Sequence, residues 1–166
     1  MNSFYWDASA LAKRYAPESG TPLVNYLFTQ VTPDRMMCLI VGVSEVISIF
    51  VRKKNARLIT PEACSQALVD FRTDVIEADA FKLISVEDIL VFASHPFIEK
   101  HALNATDALI LRSTLNMATV LRSVGNDMVL VTSDHRLLRA AQEEGLQTFN
   151  PEIDVQTALD ILIQAQ

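Results

Sequence analysis

The sequence predicts an α/β fold in which helices cover both faces of a parallel sheet. Three observations carry this expectation. Short apolar runs alternate with longer helical stretches along the whole chain. Those stretches carry helix punctuation and apolar stripes at helical spacing. The length of 166 residues suits one domain, so residues 1–166 are read as a single unit with 151–166 as a C-terminal helical extension.

The elements follow in order. Ser3 to Trp6 reads as a short buried strand, and Ser9 can cap a helix through Leu11 and Tyr15. Pro17, Gly20 and Pro22 break that helix, and Leu23 to Phe28 starts another. Cys38 to Val41 is apolar enough for a second buried strand, followed by a helix from about Ser44 to Lys54. Thr60 caps the next helix with Pro61 in its first turn, and Ala63, Ala67, Phe71 and Val75 repeat along one face. Phe81 to Ile84 reads as a strand, and Glu87 to His101 as a helix that Pro96 must bend or interrupt. Thr106 can cap the helix begun by Asp107, which carries Leu111, Leu115 and Ala118 on one stripe. Met128 to Thr132 is the clearest strand; a helix from His135 to Glu144 follows, ended by Gly145. Gln147 to Phe149 is a last short strand, and Val155 to Ile163 a final amphipathic helix whose stripe of Val155, Leu159 and Leu162 suits packing or an oligomer contact.

Composition excludes several function classes. With 14 basic and 20 acidic residues the net charge is −6, unlike a protein that simply coats nucleic acid. Four glycines cannot build a Gly-rich phosphate loop, and neither Walker A nor G-x-G-x-x-G occurs, so no nucleotide cofactor is expected. No apolar run of membrane-spanning length and no leader pattern occur, which gives the expectation of a soluble, cytoplasmic protein without a membrane partner. Cys38 and Cys64 form no metal or redox pair and read as buried free thiols. Half of the residues are hydrophobic, so a second subunit or partner can cover part of that surface.

Four acids stand at element edges: Asp7 after the first strand, Glu45 in Val43-Ser44-Glu45-Val46-Ile47, Asp107 at a helix start, and Asp134 closing Val129 to Ser133. Each has a plain reading. Asp7 and Asp134 can cap helices, Asp107 can complement a helix dipole, and Glu45 needs a partner for a half-buried carboxylate. Together they suggest more. In a parallel α/β sheet the ligand crevice lies at the carboxyl ends of the strands, and clustered carboxylates repel one another unless a cation neutralises them. A hard divalent ion, Mg²⁺ or Mn²⁺, takes oxygen ligands and assists phosphodiester hydrolysis.

In three segments the chain resembles the PIN-domain ribonucleases, the fold of VapC-type toxins. They are Trp6-Asp7-Ala8-Ser9-Ala10-Leu11 through Tyr15 with Pro17-Glu18-Ser19-Gly20; Ser44-Glu45-Val46 with Arg52-Lys53-Lys54; and Ala105-Thr106-Asp107-Ala108, Val131-Thr132-Ser133-Asp134-His135-Arg136-Leu137, Glu144-Gly145-Leu146 and Asn150-Pro151. The resemblance implies a three-layer α/β/α sandwich around a central, mostly parallel sheet of about five strands. It implies a Mg²⁺- or Mn²⁺-dependent endoribonuclease, the toxin of a toxin–antitoxin pair, with RNA as substrate and a small antitoxin protein as partner; a homodimer is the expected assembly. Asp7, Glu45, Asp107 and Asp134 become the catalytic and metal-site acids, and Ser9, Thr132 and Ser133 support them. The alternative is a catalytically silent PIN-like module that binds RNA or a protein.

Other residues keep two readings. Asn104, three residues before Asp107, can reach the metal's waters or cap a helix. Lys13, Arg14, Arg52, Lys53, Lys54 and Arg57 either grip RNA phosphates or form solvated helix surface. His95, His101 and His135 lack metal-ligand spacing, though His135 beside Asp134 can relay a proton or simply sit on the surface; Trp6 reads as core. The stretch from Asn116 to Asp127 looks like a longer loop than a minimal version needs. A receiver-like phosphoryl-accepting module is disfavoured, because Asp7 has no acidic neighbour and no Lys follows Val131 or Phe149. A D-x-D phosphatase fails because residue 9 is Ser.

Overall fold

Five short strands pair side by side, all parallel, in a computed structural model that describes residues 1–165. They are β1 (Asn2–Trp6), β2 (Met36–Leu39), β3 (Lys82–Ile84), β4 (Asp127–Val131) and β5 (Gln147–Phe149), in the order β3-β2-β1-β4-β5. The central strands are apolar along their buried stretches, Phe4–Trp6, Met36–Leu39 and Met128–Val131, because both faces are covered. Phe4, Trp6, Met36, Cys38, Val129 and Val131 enter one core. Tyr5, Met37, Leu39, Met128 and Leu130 enter the other. Cys38 and Cys64 are both buried and unpaired.

Helices complete the outer layers. On the first face lie α1 (Ala8–Leu11), α2 (Thr21–Gln30), α3 (Ile40–Asn55), α4 (Pro61–Phe71) and the last helix, α8 (Gln156–Gln164), whose Leu159 is fully buried. On the second lie α5 (Asp88–His101), α6 (Ala105–Arg122) and α7 (His135–Glu143). This is a three-layer α/β/α sandwich. Among the described residues no helix is long and apolar enough to cross a membrane.

Several boundaries differ from the sequence expectation. Asp7, not Ser9, caps α1, because its carboxylate accepts from the Ser9 N–H. Asn104, not Thr106, caps α6 by accepting from the Asp107 N–H. Pro22 does not break a helix but sits in the first turn of α2, where its missing N–H costs nothing. β2 starts at Met36 and ends at Leu39, so α3 begins at Ile40 rather than at Ser44. The buried stripe of α4 starts at Cys64, since Ala63 is exposed, and it reaches Val75 through a π turn at Arg72–Ile76. α5 runs on through Pro96. The supposed long loop after Asn116 is helix as far as Arg122, leaving a short turn before β4.

Candidate active site

The four acids reach one cleft from four different elements. Asp7 follows β1, whose hydrogen bonding extends one residue further through Asp7 N–H to Val131 O at 3.0 Å. Glu45 lies on α3, in the second turn after β2. Asp107 occupies the first turn of α6, and Asp134 caps α7 after β4. Three of these positions lie just beyond the carboxyl ends of adjacent parallel strands, where this architecture leaves its crevice. Asp7, Ala8, Ser9, Glu45, Ser48, Ile49, Arg52, Asp107 and Asp134 line a cavity of about 440 Å³.

Hydroxyls and an amide hold the acids. The Ser9 hydroxyl donates to Asp7 Oδ2, the Thr132 hydroxyl donates to the same oxygen at 2.9 Å, and the Ser9 N–H reaches it at 3.2 Å. Each hydroxyl is itself oriented by a backbone donor: Ser133 N–H to Ser9 Oγ at 2.9 Å, and Asp134 N–H to Thr132 Oγ1 at 3.0 Å. Asp7 and the Asp134 turn are thus one hydrogen-bonded unit. Asn104 Nδ2 donates to Asp107 Oδ2 at 2.8 Å while its Oδ1 caps α6, so Asn104 is the helix cap and also holds the Asp107 carboxylate. Asp134 Oδ1 accepts from the N–H groups of Arg136 and Leu137. Ser133 Oγ is buried without a partner, so its support is through its backbone rather than its hydroxyl.

The electrostatics link the acids to one another. Burial pushes the Asp7 carboxyl up, against the pull of the Ser9 and Thr132 hydrogen bonds. Asp107 rises to about 7, first through burial and then through the charges of Asp7, Asp134 and Glu45. Burial and the Asp7 charge raise Glu45, and the Thr106 side chain and the Arg52 charge oppose them. Among the described residues none of the four carboxylates has a salt-bridge partner. A negative cluster with no lysine or arginine bound into it suits a hard divalent cation held by oxygen donors. The cage is not closed, however. Among the described residues no group of three or more His, Cys, Asp or Glu side chains is arranged so as to hold a metal ion as it stands. Protein donors occupy one oxygen each of Asp7, Asp107 and Asp134. Such a site fits an ion that retains much of its water shell, as Mg²⁺ does.

The basic residues divide. Lys13 is a correction: it is buried, paired with Glu18 at 2.8 Å and with Glu152, and has no face for RNA. Lys53 also binds Glu18, at 2.6 Å, and donates to Ala16 O. Arg14 donates to Asn25 and lies over the Phe28 ring at 5.0 Å. Lys54 lines a separate hollow with Arg57 and Pro61. Of the six basic residues considered for RNA contact, Arg52 alone borders the acidic cavity. The sequence reading gave no role to Arg136, whose charge lowers the pKa of Asp107; its place two residues past a strand-end acid was the available signal. His135 is exposed, and Trp6 is core, as expected.

No protein-family model and no curated protein matched the sequence. Solved structures do resemble it. The crystal structure of PAE2754 from Pyrobaculum aerophilum shares 21% identity at a TM-score of 0.57, over 99% of this chain and 96% of that one. The crystal structure of FitAcB from Neisseria gonorrhoeae shares 14% identity at a TM-score of 0.58, over 91% of this chain and 99% of that one. At these identities the likeness speaks for the fold, which is PIN-like.

Proposed function

We propose that the protein is a Mg²⁺- or Mn²⁺-dependent endoribonuclease. The observation that carries this reading is the convergence of Asp7, Glu45, Asp107 and Asp134 on one cavity, with no salt-bridge partner for any of them among the described residues. Asp7 and Asp107 would hold the ion, with Glu45 and Asp134 completing the ring of donors. When bound, the ion would supply a Lewis acid for the phosphoryl oxygens and favour ionisation of the attacking water. The protein's own part is placement. Ser9 and Thr132 fix the Asp7 carboxylate so that it need not reorient when charge arrives. Asn104 does the same for Asp107. Glu45, half-buried in the same cavity lining, would orient water or take up a proton from it.

The sequence resemblance extends the reading to the toxin of a toxin–antitoxin pair, with a small antitoxin over the cleft and a second copy of the chain as partner. The unclosed cage favours one other reading, a catalytically silent PIN-like module that binds RNA or a protein.

Incubation with total cellular RNA and Mn²⁺ separates the two. The nuclease reading expects cleavage that EDTA stops and that Asp7→Asn and Asp107→Asn each abolish. Cleavage that survives EDTA, or full activity in both variants, contradicts it. Intact RNA under saturating Mn²⁺ favours the silent module.

A further inference from the structure

We propose that Arg52 and Arg136 form a pair of phosphate grips that hold an RNA backbone on either side of the acidic cleft, so that the strand crosses it from α3 to α7. The inference rests on the ribonuclease reading and adds the path of the substrate. Both side chains are exposed. Neither guanidinium makes a hydrogen bond or salt bridge among the described residues, whereas Lys13, Arg14 and Lys53 are committed to protein partners.

Their placement follows from the topology. α3 follows β2 and α7 follows β4, and these strands flank β1, at whose end Asp7 stands. The two helices also pack on opposite faces of the sheet, Val46 and Phe50 in one core, Leu137 and Ala140 in the other. Glu45, Ser48, Ile49 and Arg52 form one stripe of α3 along the cavity wall. At 1.5 Å per residue Arg52 lies about 10 Å along the helix from Glu45, in the same cavity lining and with its charge still acting on Glu45, which sets it beside the acids for a phosphate next to the scissile one. Ile49 between them offers an apolar surface for a ribose or base edge. Arg136 sits in the first turn of α7, where the helix dipole disfavours a cation. Its charge favours the Asp107 carboxylate, but among the described residues no protein group binds the guanidinium directly, and a substrate phosphate would supply such a partner. A chain of net charge −6 needs such local cations to bring a polyanion to a carboxylate cluster.

The test is binding of a 5′-fluorescein-labelled single-stranded RNA oligonucleotide by fluorescence anisotropy, in EDTA and in an Asp107→Asn background so that no cleavage intervenes. Arg52→Gln and Arg136→Gln are compared with their double variant and with Lys82→Gln, an exposed charge at the amino end of β3. Each arginine variant is expected to weaken binding about tenfold and to lower the slope of log K against log salt by about 0.7, with losses compounding in the double variant and none in Lys82→Gln. Arginine variants that bind like their parent overturn the pair of grips while leaving the nuclease reading standing, and so does a Lys82→Gln loss as large as theirs. A parent protein that binds no RNA overturns both.

Discussion

Asp107 is the acid that feels the charge of all three others. Its pKa is raised to about 7, by burial first and by Asp7, Asp134 and Glu45 after it. A carboxyl whose folded pKa exceeds its unfolded value stabilises the fold while protonated. That contribution is complete below about pH 4 and is lost as pH rises through about 7. Without divalent ions, this group is expected to make the protein less stable between pH 4 and 7, and Asp107→Asn should flatten that part of the profile. At pH 8 the variant should be more stable than the wild type by about 1–2 kcal/mol after allowing for solvent screening. Urea unfolding across this pH range measures both; a variant with an unchanged profile contradicts the assignment. Thr132 offers the opposite case. It is fully buried and spends its hydroxyl on Asp7 and the Asp134 N–H. Thr132→Val should cost about 1–3 kcal/mol by leaving those groups unpaired. It should also lower divalent-ion affinity about 10- to 100-fold, read by calorimetric titration.

Elements carry the site because strand ends and the opening turns of helices deliver its acids, and this was only partly legible in the sequence. The strand runs and the acids beside them were visible, since the buried stretches Phe4–Trp6 and Met128–Val131 are apolar, Asp7 stands directly after the first and Asp134 three residues after the second. Cap identity was not, because Asp7 and Ser9, or Asn104 and Thr106, are chemically equivalent candidates until backbone direction is known. The fate of Lys13 was hidden for another reason: its partner Glu152 is distant in sequence, so nothing local marks the residue as buried. The same region explains a conformational demand. Gly20 has φ +87°, and a Cβ there would lie 2.8 Å from Pro151 O, so the turn before α2 is locked against the segment after β5. Gly20→Ala should destabilise by about 1–3 kcal/mol, since strain and a backbone clash coincide. Thermal or chemical denaturation reads this directly; a neutral variant contradicts the close approach.

Across the whole molecule, the sheet order decides which parts of the chain meet. With β1 at the centre and β2 and β4 on its flanks, residues 7, 45 and 134 are brought to one edge although they are far apart in sequence, and α6 delivers residue 107 from the second face. The central claim is that this edge binds one kind of ligand, a hard divalent ion, through the four acids acting together. Calorimetric titration of Mn²⁺ into the protein at pH 7, repeated in buffers of different ionisation enthalpy, tests it most directly. Saturable binding with proton release is expected, because Asp107 is then about half protonated. Asp7→Asn should abolish binding, and Asp107→Asn should weaken it and reduce the proton release. No binding by the wild-type chain, or binding unchanged in both variants, would contradict the account.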